Sequence, residues 1–172
     1  MNGIILYGTC YGSAKQYADK LSRRTGETCV SYRDAGDLAA YDRIVYIGSL
    51  YAGGVLGMAE TVGKLTDWQS KQIVIATVGL ADTTDAGNVQ NIRKGMQRQL
   101  PAGMMEHAKL VHLRGGIDYS RLSMKHKVMM GLLYQKAKNL PPEKKTAEVR
   151  AMIDTYNQVV DFVDLSRVDE LL

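Results

Sequence analysis

The chain begins MNGIILYGTCYGSAKQ (residues 1–16), and this stretch predicts a buried strand, a short loop and the start of a helix. Ile4 to Tyr7 is apolar, β-branched at its first two positions and too short for a helix, which is typical of a buried strand. The loop Gly8–Ala14 that follows is rich in small and hydroxylated residues. Apolar residues then recur at helical spacing among charged ones, so the loop leads into a helix.

A loop that joins a strand to a helix in this way favours the binding of an anion. The first N–H groups of a helix have no acceptor within the helix, and the helix dipole adds partial positive charge there. Thr9 and Ser13 add hydroxyl donors, while Gly8 and Gly12 allow a close backbone approach. Neither the P-loop spacing nor the GxGxxG spacing is present. An ordinary turn capped by Ser13 would explain the same residues, and both interpretations stay open.

Composition narrows the class of protein. With 172 residues the chain is long enough for one sizeable core, so we expect a single domain over residues 1–172. It has no apolar run long enough to cross a membrane and no signal-peptide pattern, and we therefore expect a cytoplasmic protein. Its two cysteines and three histidines lack the spacing of metal ligands or of a disulfide framework, so we expect no metal site.

The positive charge is concentrated in one part of the chain. The net charge is +4, but residues 114–150 alone contain nine Lys or Arg and only three Asp or Glu. Such a local excess indicates a surface with a particular role rather than general binding of nucleic acid.

Strand and helix patterns alternate along the chain. Strands are predicted at residues 4–7, 27–32, 43–48, 72–78 and 109–113; helices are predicted after the first loop and at residues 56–67, 88–100 and 142–163. The strands are apolar on both faces, which favours a parallel sheet covered by helices on both sides. We predict a three-layer α/β fold with strand order 2-1-3-4-5, whose carboxyl-edge loops meet at a crevice beside the first loop.

The segment Ile5–Ala18 (ILYGTCYGSAKQYA) resembles the phosphate loop of the flavodoxin-like family, which binds FMN on this fold. Ala14 departs from the family, which usually has Thr there. The resemblance implies FMN as the cofactor, with the flavin carrying the chemistry, so that no catalytic side chain is required. The residues implied around the phosphate are Thr9, Cys10, Tyr11, Gly12, Ser13 and Ala14; those beside the ring are Ser49, Leu50, Tyr51, Ala52 and Gly53; those at the pyrimidine end and flank are Thr77, Val78, Gly79, Leu80, Gly115 and Gly116.

An extra segment, residues 119–140, separates the fifth strand from the last predicted helix. With the preceding residues it resembles the branch of bacterial menaquinone-dependent protoporphyrinogen oxidase, over Leu113–Met130 (LRGGIDYSRLSMKHKVMM). This resemblance implies that porphyrin carboxylates are attracted to a basic set consisting of Arg114, Arg121, Lys125 and Lys127.

The extra segment forms a predicted helix with two apolar faces. One face consists of Leu122, Met129, Met130, Leu133, Tyr134 and Ala137, and the second of Met124, Val128 and Leu132. Packing on a domain uses one face, so the second predicts contact with a partner, a quinone or a membrane surface, and a membrane contact would place the protein at the inner face of the membrane. The segment 119–140 is also predicted to bind an anionic substrate or to form a homodimer. Burial of both faces by the chain itself is the alternative.

Four functions follow from these patterns. The first is an FMN protein acting in electron transfer or as a small flavin oxidoreductase, working with a redox partner protein or a quinone. The second is a protoporphyrinogen oxidase-type enzyme. The others are a flavin-free interaction module on the same fold and a phosphate-binding protein without redox chemistry.

Overall fold

The computed structural model describes all residues, Met1–Leu172, and has a parallel sheet at its centre. The five strands of this sheet are β1 (Gly3–Gly8), β2 (Thr28–Ser31), β3 (Arg43–Tyr51), β5 (Gln72–Gly79) and β6 (Lys109–Arg114). Their order is β2-β1-β3-β5-β6, and a two-residue strand, β4 (Gly54–Val55), pairs antiparallel with the end of β3. Since β4 lies off the main path, the predicted order 2-1-3-4-5 is confirmed.

Helices cover both faces of the sheet. The α-helices are α1 (Ser13–Thr25), α2 (Ala86–Gln97), α3 (Met104–His107), α4 (Met124–Lys138) and α5 (Ala147–Asp154). Short 3-10 helices occupy Tyr32–Asp34, Val62–Lys64, Trp68–Ser70, Tyr119–Arg121, Pro142–Lys144 and Leu165–Leu171. None of the helices combines the length and apolar character needed to cross a membrane.

The two faces of the sheet bury separate cores, as the doubly apolar strands require. One core contains 15 buried residues and includes Tyr46 of β3 and Met96 of α2. The other contains 14 and packs α1 against the C-terminal 3-10 helix, where Val168 and Leu171 are fully buried.

The helix predicted over residues 56–67 is wrong. The chain there forms turns and the 3-10 helix Val62–Lys64, although Met58 and Val62 are buried as the apolar pattern required. Gly57 has φ 77°, a left-handed conformation that interrupts a helix. The Thr61 hydroxyl donates a hydrogen bond to the Gly57 carbonyl at 2.9 Å, so local bonds replace those of a helix.

The helix predicted over residues 142–163 is also wrong in extent. Helix α5 ends at Asp154, and Asn157 turns the chain with φ 59°. A strand follows, β8 (Val159–Asp161), which pairs antiparallel with β7 (Gly116–Asp118). Helix α5 contains no fully buried residue, and Met152, Tyr156 and Val160 are half-buried against the cluster formed by Ile117, Tyr119 and Met130.

The extra helix predicted in residues 119–140 is present as α4. Together with β7, α5 and β8 it forms a unit that we call the cap (residues 116–161). The buried centre of the cap has only three residues, Ile117, Tyr119 and Met130, with Tyr11 and Leu80 of the main domain packed against it. The cap therefore lies on the loops that follow β1 and β5.

Candidate functional site

The first loop leads into α1 at backbone N–H groups that no side chain caps, although Ser13 and Ala14, the first two residues of the helix, are buried. Gly12 is the N-cap residue with φ 97°, and no side chain caps the helix. The Gly12 N–H donates to Thr9 Oγ1 at 2.9 Å, which shapes the loop. As the first three residues of α1, Ser13, Ala14 and Lys15 have N–H groups without an acceptor in the helix. The loop can thus bind an anion through its backbone.

The Ser13 hydroxyl is hydrogen-bonded to the loop that follows β6. It accepts a hydrogen bond from the Gly116 N–H at 2.9 Å and lies 3.4 Å from the Gly116 carbonyl, and the residue is buried. Gly115, next to Gly116, donates its N–H to the Gly79 carbonyl at 2.7 Å. These bonds hold the loops after β1, β5 and β6 together at the carboxyl edge of the sheet, where they were predicted to meet.

Tyr11 joins the first loop to the cap. Its hydroxyl lies 3.1 Å from the Met130 sulfur, and its ring meets His126 edge-on with the centroids 6.4 Å apart. Burial, together with smaller effects of Cys10, Tyr119 and Tyr51, raises the pKa of Tyr11 to about 12. Burial likewise raises the pKa of the Cys10 thiol, so Cys10 remains protonated at neutral pH.

The loop after β3 is a tight hairpin. Ala52 and Gly53 form its two-residue turn with φ 50° and 80°, between the paired residues Tyr51 and Gly54. Arg98 donates to the Gly53 carbonyl at 3.3 Å, which attaches the turn to the region after α2. Tyr51 is 48% exposed, so its side chain is accessible beside the first loop.

The loop after β5 has its amides occupied by the cap. Leu80 and Ala81 donate their N–H groups to the two carboxylate oxygens of Glu148 at 2.8 and 3.0 Å. Sequence reasoning missed Glu148, because it lies 68 residues from Leu80, within the helix predicted over residues 142–163. No local sequence signal marks such a contact.

Further side chains in this region make internal contacts. Arg114 donates to the Leu80 carbonyl at 2.6 and 3.2 Å, and its guanidinium stacks 3.8 Å from the centre of the Phe162 ring. The Arg114 side chain therefore makes contacts within the protein, whereas the other predicted basic residues, Arg121, Lys125 and Lys127, are exposed. The Thr77 hydroxyl lies 2.7 Å from His112 Nδ1, within the sheet.

The second apolar face of α4 is uncovered. Met124, Val128 and Leu132 are 73%, 59% and 68% exposed, whereas Met130 and Ala137 on the first face are buried. The alternative in which the chain buries both faces is therefore wrong.

One end of the site has the hydrogen-bond donors that the phosphate of a flavin mononucleotide needs. The uncapped N–H groups at the start of α1 suit a phosphate, and a side chain at Gly12 would meet nothing within 4 Å, although Ser13 and Ala14 themselves are buried. Tyr51 offers a half-exposed aromatic ring at the end of β3, the strand that pairs with β1. At the other end, the Leu80 and Ala81 amides already hold the Glu148 carboxylate, so the ring end fits only if Glu148 leaves.

The fold defines an α/β protein whose first loop joins β1 to the uncapped start of α1 at the switch point of a parallel sheet. The sequence matches the flavodoxin domain family over residues 4–142, which is most of the chain. This protein belongs to that family, and a flavin is the cofactor that the family implies. A search of curated protein sequences finds no match.

Several solved structures share low similarity with the chain. A flavodoxin variant from Pseudomonas aeruginosa is 16% identical with a TM-score of 0.44, covering 80% of this chain and 97% of that one. A Trp repressor binding protein from Bacillus subtilis is 13% identical with a TM-score of 0.44, covering 66% and 82%. A flavoprotein from Lactobacillus acidophilus, solved in complex with FMN, is 10% identical with a TM-score of 0.41, covering 66% and 91%.

Proposed function

We propose that this protein binds FMN and acts in electron transfer or as a small flavin oxidoreductase. The observation that carries the proposal is the uncapped start of α1, where Gly12 in the left-handed conformation leaves the next N–H groups without acceptors. Membership of the flavodoxin domain family supports a flavin as the molecule whose phosphate these amides bind.

The bound flavin would supply the electron-transfer chemistry, and the chain would position and shield it. The amides of Ser13 and Ala14 would hold the phosphate tail. Tyr51, at the hairpin beside the first loop, would stack against the ring or cover its edge. No side chain in this arrangement is needed as a general acid, base or nucleophile.

The test is a titration of the flavin-free protein with FMN, in which quenching of flavin fluorescence reports binding. Gly12→Asp places a carboxylate in front of the phosphate amides, and we expect FMN affinity to fall by at least about a hundredfold, because like charges meet in the site. Gly26→Asp is the matched control, since Gly26 ends the same helix with φ 74° and open space around it. Wild-type protein that binds no FMN would contradict the proposal and favour the flavin-free interaction module.

A second candidate is a menaquinone-dependent protoporphyrinogen oxidase-type activity. The exposed apolar face of α4 favours it, because Met124, Val128 and Leu132 offer an apolar quinone or a membrane surface a contact flanked by lysines. The exposed Arg121, Lys125 and Lys127 suit the carboxylates of a porphyrin. Turnover of protoporphyrinogen with menaquinone by the FMN-loaded protein tests this candidate, and absence of turnover would remove it.

A further inference from the structure

Glu148 lies in the first turn of α5, and its carboxylate spans two neighbouring amides of the main domain. Oε1 accepts from the Leu80 N–H at 2.8 Å, and Oε2 accepts from the Ala81 N–H at 3.0 Å. A Cβ at Gly79 would lie only 2.9 Å from Oε2, so the glycine makes room for the carboxylate at the end of β5. The contact is thus a fitted two-point interaction rather than a chance approach of an exposed side chain.

In the proposed flavin site, these two amides are the donors that the loop after β5 would offer to the pyrimidine end of the ring. A flavin presents hydrogen-bond acceptors at that end, as a carboxylate does. An N–H group that points at one acceptor is unavailable to another. The two acceptors therefore compete for the same place.

We propose that Glu148 is an internal ligand of the cofactor site, which occupies the ring-binding amides until the flavin displaces it. This inference rests on the proposed binding of FMN and adds the residue that sets its strength. Glu148 makes the ring end conditional, because its carboxylate must leave before the Leu80 and Ala81 amides can donate to a flavin.

The packing of α5 allows such a release. Helix α5 has no buried residue and contributes the half-buried Met152 to a cap cluster with only three buried residues, whereas the cores of the main domain have 15 and 14. Segments with few buried apolar contacts open at a small fraction of the global cost of unfolding. The loss of the Glu148 contact therefore leaves both cores of the sheet intact.

The decisive variant is Glu148→Gln. It keeps the size of the side chain but replaces one acceptor with an NH₂ donor, which cannot pair with an N–H group. Since apparent affinity scales with the fraction of molecules whose site is open, we expect FMN to bind at least about tenfold more tightly. Riboflavin, which lacks the phosphate, should gain by a similar factor, because Glu148 acts at the ring end.

Glu143→Gln is the matched control. It removes the same charge from the same stretch of the cap, and Glu143 is exposed and makes none of the amide contacts. We expect FMN affinity close to that of the wild type. Hydrogen exchange in the flavin-free protein gives a second readout: the Leu80 and Ala81 amides should exchange slowly in the wild type and at least about tenfold faster in Glu148→Gln.

The outcomes separate this inference from the proposed function. Wild-type protein that binds FMN, with Glu148→Gln binding no more tightly, overturns the role of Glu148 and leaves the cofactor assignment intact. Failure of both proteins to bind FMN overturns both. Equal exchange rates of the two amides in both proteins also overturn the inference, because the carboxylate would then not protect them.

Discussion

The buried histidine of β6 makes a quantitative prediction about acid stability. His112 is 9% exposed; its Nδ1 shares a hydrogen bond with Thr77, and its Nε2 has no partner. Burial, together with the positive charges of Arg93 and Arg167, lowers the pKa of His112 from 6.5 to about 4. The folded protein therefore holds this ring neutral where the unfolded chain would protonate it.

The sign and size of the effect follow from linkage. Above pH 6.5 the ring is neutral in both states and adds no pH dependence. As the pH falls below 6.5, His112 becomes protonated in the unfolded chain but stays neutral in the folded protein. The free energy of unfolding therefore decreases until the pH reaches the folded pKa of about 4. One pKa unit corresponds to about 1.4 kcal/mol, so His112 contributes a loss of about 3 kcal/mol over this interval.

The assay is urea unfolding at pH 7, 6, 5 and 4 for the wild type and for His112→Gln, whose side-chain oxygen can still accept from Thr77. We expect the variant to lose less stability on acidification. Between pH 7 and pH 4 its free energy of unfolding should increase by about 3 kcal/mol relative to that of the wild type. The same substitution at the exposed His126 controls for the loss of a histidine. Parallel curves for the wild type and His112→Gln would refute the argument.

Two further substitutions test the loops and the core. Ser13→Ala removes both contacts with Gly116, so the free energy of unfolding should fall by about 1–2 kcal/mol in urea titrations while FMN affinity stays unchanged, because the phosphate amides belong to the backbone. A tenfold loss of affinity without loss of stability would instead mean that the hydroxyl turns to the phosphate. Leu171→Ala removes a fully buried side chain of the C-terminal 3-10 helix and should cost about 2–5 kcal/mol in the same assay. Leu172→Ala, at a half-exposed position, should cost less than about 0.5 kcal/mol, and equal effects of the two would contradict this packing.

The sheet could be predicted from the sequence because each of its main strands is a short apolar run between breaks. The runs at residues 43–48 and 72–78 are apolar on both faces, and only a sheet covered by helices on both sides buries such strands. The structure places them as β3 and β5 at its centre. Handedness of the connections then leaves few orders, and the predicted one is observed.

Local apolar patterns gave wrong predictions where contacts between residues distant in sequence determine the backbone conformation. Residues 56–67 have apolar residues at helical spacing, but turns held by Gly57 and Thr61 bury the same residues without a helix. After Asp154 the chain pairs with β7 as a strand, a choice that depends on a partner about 40 residues earlier. Helical spacing reports which residues are buried, and several backbone conformations can satisfy it.

By itself, the sequence determined the parallel sheet, the loop that joins β1 to α1 and the extra basic helix, since each depends on residues that are neighbours in the chain. Only the tertiary structure decided that the Ser13 hydroxyl binds Gly116 and that Glu148 caps Leu80 and Ala81. Each of these contacts joins polar groups more than 60 residues apart. Hydrogen bonds at such separations leave no periodicity in the sequence, because their partners meet only after the sheet and the cap have formed.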